Sequence, residues 1–176
     1  MVIRIPNSIV SSMIEAAYAS IPSRLASYLS HVDFFCGTDP IWAGLIQEGS
    51  DNPAKGGRSF RDTWCTVYSH HLLLPKDKCK TTIMIPKLSR YERETFWGIY
   101  SICHELGHVL DEKLGWVHQT SPITKYAHTS REEAFAEMFC YWLGFYTEGT
   151  LLTISNTQTV ALFNALKAGN AIDRCL

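Results

Sequence analysis

The sequence has no long uninterrupted apolar run, no cluster of Lys and Arg, and no C-x-x-C pair. Without an apolar run of bilayer length it predicts no transmembrane helix. Pro6, Asn7 and Ser8 interrupt the apolar segment that a signal peptide would need. We therefore expect a cytoplasmic protein, with export by a specialised route as the alternative. The net charge of −1, with basic residues scattered along the chain, predicts neither a nucleic-acid nor a membrane partner and leaves the oligomeric state open.

Cysteine is not dense enough to indicate a disulfide framework. The six cysteines lie far apart, at positions 36, 65, 79, 103, 140 and 175. Disulfide frameworks are typical of small secreted domains, whereas a chain of 176 residues can bury an apolar core without cross-links. Hydrophobic residues make up 46% of the chain and charged residues 19%, which is ordinary for a folded domain. We expect one globular domain over residues 1–176, with free thiols in a reducing compartment.

Hydrophobic periodicity and turn residues divide that domain into four parts. The predicted parts are a helical region over 1–60, strands over 61–88, a helix over 89–115 and another helix over 130–146. Finer predictions are a helix over 7–30 that restarts at Pro22, a short helix over 40–47, a loop over 49–59, a hairpin of 63–74 with 81–85, an irregular segment over 116–129 and a last helix over 157–168. A capping box at Ser89 and Glu92 marks the start of the third part, and Gly115 its end.

The pattern H-E-x-x-H falls in the middle of the 89–115 helix. His104 and His108 are four residues apart, so one helix face presents both imidazoles to a single ion. Glu105 lies beside that face, where it can take a proton from the attacking water. Gly107 leaves room for a neighbouring element. The alternative is a pair of histidines satisfied by ordinary hydrogen bonds.

A catalytic zinc site needs a third protein ligand. The elongated three-histidine motif is excluded because Asp111 and Leu114 stand where it requires Gly and His. The helix over 130–146 offers Glu133 and Glu137, which share one face of a largely apolar helix. Two carboxylates there are unfavourable unless a cation compensates them.

We predict that Glu133 binds the metal and that Glu137 orients a ligand histidine. The alternative is that Glu133 only completes a capping box with Ser130. Thr129 and Glu132 offer the same box one residue earlier, which would free Glu133 for the metal. Asp111, one turn after His108, either accepts a hydrogen bond from a ligand imidazole or is a surface carboxylate.

The segments HELGHVLD at 104–111 and YAHTSREEAFAEMF at 126–139 together resemble the catalytic domain of anthrax toxin lethal factor and the Pro-Pro endopeptidases. The resemblance covers roughly residues 89–146. It implies that Glu133 is the third zinc ligand, that Glu137 is the family's second acidic residue, and that Tyr126 faces the metal and stabilises the tetrahedral intermediate. The first 60 residues show no resemblance, so the family's substrate preference does not transfer.

The sequence thus predicts an α+β zincin-like domain, in which a small mixed sheet accompanies an active-site helix and a third-ligand helix. Its expected function is zinc-dependent hydrolysis of a peptide or protein, with Thr81–Ile85 as an edge strand that receives extended substrate and Trp64, Trp116 and Tyr68 lining subsites. One alternative is a regulatory protease or sensor that acts on a single cognate partner. The other is a non-catalytic module in which zinc braces two helices.

Overall fold

The computed structural model describes seven segments of the chain, and they contain more helix than strand. These segments are residues 3–4, 8–36, 66–69, 81–85, 95–115, 117–145 and 156–169. The chain divides into two compact units, one of residues 1–16 with 30–102 and the other of residues 17–29 with 103–176. The description as a single domain stays a prediction.

Two helices lie near the start of the chain, as its apolar spacing predicts. Helix α1 spans Ser8–Ser20 and helix α2 spans Ser23–Tyr28. Pro22 precedes α2 as its N-cap, where the missing backbone N–H costs nothing. The buried positions of α1 recur at helical spacing and are Val10, Met13, Ile14 and Ala17. The predicted restart of the helix at Pro22 is confirmed.

Four short strands form a mixed sheet. They are β1 (Ile3–Arg4), β2 (Asp33–Cys36), β3 (Thr66–Ser69) and β4 (Thr81–Ile85), in the spatial order β1-β2-β4-β3. Strand β2 pairs parallel with β1 and with β4, whereas β3 pairs antiparallel with β4. Phe34 of β2 lies opposite Ile83 of β4, and both side chains are buried. The antiparallel pairing of β3 with β4 agrees with the hairpin prediction.

Two predictions about this region are wrong. Thr81–Ile85 is not an edge strand, because β2 pairs along one side of it and β3 along the other. The N-terminal 60 residues are not purely helical, because they contribute β1 and β2. These strands have two and four residues, too few to show the alternation by which a strand is detected in sequence. Within the described segments, the outer strands are β1 and β3.

Three longer helices follow the sheet in sequence. Helix α3 spans Thr95–Lys113, α4 spans Arg131–Trp142 and α5 spans Asn156–Ala168, with a short 3-10 helix at Ala127–Thr129 before α4. Gly115 ends α3 with a φ of 79°, in the region that favours glycine. The rings of Phe135 and Phe139 of α4 pack edge-on against Phe163 of α5, with centroids 5.2 and 5.5 Å apart.

Several predictions fall outside the described residues. They are the short helix over 40–47, the loop over 49–59, the capping box at Ser89 and Glu92, and the side chains of Trp64, Tyr68 and Trp116. Of the segment 116–129, predicted to be irregular, residues 117–126 are so, whereas Ala127–Thr129 form a 3-10 helix. Among the described helices none combines the length and the apolar character that crossing a bilayer requires.

Candidate metal centre

Helix α3 brings two imidazoles together through its own periodicity. His104 and His108 lie one turn apart, and their ring centroids are 4.8 Å apart with the planes nearly perpendicular. Leu106, Val109 and Leu110 of the same helix are buried. His104 is also buried, whereas Glu105 and His108 are half-buried. The two histidines therefore meet at a site that the core holds in place and that solvent still reaches.

The first turn of helix α4 supplies a carboxylate to these rings. Ser130 is the N-cap, and its hydroxyl accepts a hydrogen bond from the backbone N–H of Glu133 at 3.2 Å. The Glu133 side chain turns away from the cap, so that Oε2 lies 2.8 Å from Nε2 of His104 and 3.4 Å from Nε2 of His108. Thr129 is not the cap, because its hydroxyl donates to the Tyr126 carbonyl at 2.7 Å. Capping and histidine contact are thus compatible at Glu133.

Gly107 allows helices α3 and α4 to approach this closely. A Cβ atom at position 107 would lie 3.0 Å from Cα and 3.3 Å from Cβ of Ala136. Contacts that short are rarely tolerated between a side chain and a helix backbone. Because Gly107 has no side chain, helix α4 can approach helix α3 closely enough for Glu133 to reach His104 and His108. The sequence predicts this role for Gly107.

The donor atoms fit a metal ion. One ligand atom from each of His104, His108 and Glu133 lies within 4.8 Å of the other two, so the cluster could hold an ion. Tetrahedral zinc with bonds of 2.0–2.1 Å to nitrogen and oxygen would place its donors about 3.3 Å apart. The separation of 3.4 Å between Glu133 and His108 is close to that value, whereas the 2.8 Å between Glu133 and His104 is the shorter distance of a direct hydrogen bond. Two imidazoles with one carboxylate also form one of the donor sets of catalytic zinc sites.

The electrostatics of the metal-free cluster favour a positive charge at its centre. Burial lowers the pKa of His104, but the carboxylates of Glu133 and Glu137 outweigh burial and raise it to about 10. Burial raises the pKa of Glu133, and the two histidines outweigh it, so the pKa falls well below its usual range. Two carboxylates therefore face a protonated imidazole. A divalent cation would replace that proton with a larger positive charge.

Glu137 lies behind His104, where the sequence places it. Its Oε1 is 3.1 Å from Nδ1 of His104, the ring nitrogen opposite the one that contacts Glu133. Its Oε2 accepts a hydrogen bond from the hydroxyl of Thr124 at 2.9 Å. Glu137 is itself buried. A carboxylate in this position fixes which nitrogen of the imidazole carries the proton and leaves the other one for an ion.

Tyr126 lies near the cluster but is not part of the donor set. Its ring centroid is 5.8 Å from that of His104, and the side chain is 44% exposed. The residue directly precedes the 3-10 helix at Ala127–Thr129. The Tyr126 ring therefore lies next to that of His104 and is partly accessible to solvent.

Asp111 does not have either of its predicted environments. It is fully buried, and instead of contacting an imidazole it forms a two-point ion pair with Arg131, with N–O distances of 2.7 and 3.2 Å. Burial raises the pKa of Asp111, and the guanidinium opposes that rise. Arg131 also donates to the carbonyl of His118 at 2.8 Å. The pair joins α3 to the first residue of α4, two positions before Glu133.

Sequence reasoning missed Arg131 and Thr124. One signal for Arg131 was available, because a carboxylate within an apolar helix stretch requires a partner and Arg131 is the only basic residue of the 130–146 segment. Nothing in the local sequence distinguishes Thr124 from other loop threonines.

No family model matches this chain, and no curated protein or solved structure matches it either.

Proposed function

We propose that this protein is a zinc-dependent endopeptidase with a zincin-like fold that hydrolyses peptide bonds in a peptide or protein substrate. The observation that carries the proposal is the convergence of His104, His108 and Glu133 on one point, with Glu105 on the same helix. The resemblance of residues 104–111 and 126–139 to the lethal factor and Pro-Pro endopeptidase domains supports the same activity.

In this mechanism His104, His108 and Glu133 would hold the zinc and leave its fourth position to solvent or substrate. Bound zinc would polarise the scissile carbonyl and lower the pKa of the attacking water. Glu105 accepts the proton from that water and delivers it to the leaving amine. Its half-buried position one residue from His104 suits a group that must reach both the ligands and solvent.

Tyr126 donates a hydrogen bond to the oxygen on which negative charge develops. Its contribution grows as the carbonyl becomes tetrahedral, so it lowers the barrier rather than tightening substrate binding. Glu137 holds the Nδ1 proton of His104 and thereby presents Nε2 to the metal. The positions of the side chains support these roles: Glu105 is next to His104 on helix α3, the Tyr126 ring is near His104, and Glu137 lies at Nδ1 of His104.

The test combines metal analysis with cleavage of a peptide library. We expect about one zinc per chain in the purified protein and hydrolysis that is lost on chelation and restored by zinc. The substitution Glu105→Gln should keep the zinc and reduce hydrolysis by roughly 10²- to 10⁴-fold, the contribution of a general base. Glu112→Gln, the same change elsewhere on helix α3, is the matched control and should keep wild-type activity.

Two results would contradict the proposal. Protein that carries zinc but cleaves nothing, in the library or in a cognate partner, would indicate that the metal only braces helices α3 and α4. Hydrolysis that survives Glu105→Gln unchanged would show that another group activates the water. Cleavage confined to one partner protein would identify a regulatory protease.

A further inference from the structure

Thr124 joins the loop that carries Tyr126 to the carboxylate behind His104. Its hydroxyl accepts a hydrogen bond from the backbone N–H of Ala127 at 3.0 Å and donates one to Oε2 of Glu137 at 2.9 Å. A threonine hydroxyl has a single proton, and a carboxylate can only accept, so the direction of both bonds is fixed. The other oxygen of Glu137 lies 3.1 Å from His104.

Tyr126 lies between Thr124 and Ala127, the two residues that the first of these hydrogen bonds joins. The bond from Ala127 to Thr124 closes a turn of four residues, and Tyr126 is the third of them. A second hydroxyl, that of Thr129, holds the Tyr126 carbonyl at 2.7 Å. The turn is therefore fixed internally, but of these two hydroxyls only that of Thr124 ties it to helix α4. Ile123 and Ala127 of this segment are buried and anchor it by packing, whereas Tyr126 is 44% exposed, so the hydrogen bonds of Thr124 add a polar tie next to an exposed ring.

We propose that Thr124 is a positioning residue that sets the Tyr126 ring against the metal ligand His104. The inference rests on the proposed function, because it assigns a cause to the placement of the oxyanion donor. Thr124 touches neither ion nor substrate. It acts through Glu137 on one side and through the turn on the other, so its loss should displace the phenol while the donor set stays intact.

Three variants separate this role from a general structural one. Thr124→Val keeps the shape of the side chain and removes both hydrogen bonds, whereas Thr124→Ser keeps the hydroxyl. Thr120→Val is the control, because Thr120 is buried and exchanges a hydroxyl hydrogen bond with Thr159 at 3.2 Å, away from Glu137. All three can be made in the full chain labelled with 3-fluorotyrosine, and the Tyr126 fluorine resonance is assigned by its absence from Tyr126→Phe.

In protein loaded with Co²⁺, the Tyr126 resonance should carry a large paramagnetic shift. We expect Thr124→Val to change that shift strongly at unchanged cobalt content, Thr124→Ser to restore it, and Thr120→Val to leave it as in the wild type. Hydrolysis should follow: kcat falls roughly 10- to 100-fold in Thr124→Val with little change in KM. The double variant Thr124→Val with Tyr126→Phe should have a kcat only slightly lower than that of Tyr126→Phe alone.

A wild-type protein that binds no cobalt would contradict the proposed function and still allow the test. In metal-free protein His104→Ala should move the Tyr126 resonance, because the two rings are 5.8 Å apart. That response should disappear in the Thr124→Val background. An unchanged Tyr126 resonance in Thr124→Val, with or without metal, would overturn the positioning role, as would an equal displacement in Thr120→Val.

Discussion

Glu133 takes part in two interactions through two different groups. Its backbone N–H is bonded to the Ser130 hydroxyl, and its carboxylate lies against both histidines. In the sequence these appeared as competing explanations for one residue. The N-cap uses the amide of the third helical residue and leaves its side chain unassigned, so position N3 of a capped helix can also supply a ligand.

Substituting Glu133 should show whether its carboxylate, rather than that of a neighbouring glutamate, binds the metal. We expect Glu133→Gln to weaken zinc binding by more than the roughly 10- to 100-fold that loss of an outer partner costs. Glu132→Gln is the control, since its side chain is 44% exposed and lies 3.6 Å from Arg131 rather than near the histidines. Competition with a chromophoric chelator measures both affinities. Equal affinities for the two variants would remove Glu133 from the donor set.

Helix periodicity predicts two of the candidate ligands, and the chemistry of zinc sites together with the family resemblance predicts Glu133 and Glu137. His104 and His108 share a face by their spacing alone, and Glu133 follows from the requirement for a third ligand. Thr124 and Arg131 were missed because their partners, Glu137 and Asp111, are set by how a loop and two helices pack. No local pattern encodes that packing.

At the scale of elements, the contact between helices α3 and α4 depends on a residue without a side chain. Gly107→Ala would place a methyl group 3.0 Å from the backbone of Ala136. Alanine improves helix propensity by about 1 kcal/mol, but overpacking costs about 1–3 kcal/mol. We expect a net loss of stability that grows from Ala to Ser to Val, together with weaker metal binding because the ligand helices separate.

Thermal unfolding of the metal-free variants gives the stability order, and chelator competition gives the metal affinity. A Gly107→Ala protein more stable than wild type would mean that helix propensity outweighs the contact with Ala136.

The helices themselves were largely predictable, because their apolar faces are long enough to show a period. Strands β1 and β2 were not, since a strand of two or four residues is stabilised by the pairing of distant segments.

At the scale of the whole molecule, the charge arrangement in the metal centre links stability to pH. The folded pKa of His104 is raised from 6.5 to about 10, so its protonation stabilises the metal-free fold fully below about pH 6.5. That contribution is lost as pH rises toward 10. Zinc bound by His104 would displace this proton, so under the proposed function the increase in Tm on adding zinc should be larger at pH 8 than at pH 6.

Differential scanning fluorimetry with zinc or with chelator, across that pH range, measures the effect. In the His104→Ala variant, zinc should raise Tm much less than in the wild type, and that increase should depend little on pH. A zinc-dependent increase in Tm that is the same at pH 6 and pH 8 would show that metal uptake displaces no proton from His104.

The three candidate metal ligands, His104, His108 and Glu133, come from a short stretch of the chain. His104 and Glu133 are separated by 29 positions, whereas the sheet pairs residues as distant as Phe34 and Ile83. The entropy lost on closing a loop grows with its length, and contacts between nearby residues form faster than contacts between distant ones. The candidate ligands could therefore come together without waiting for contacts that span longer stretches of the chain. During synthesis the described strands, which end at Ile85, emerge before both helices, so a bound ion would act on the later steps of assembly as well as on the final stability.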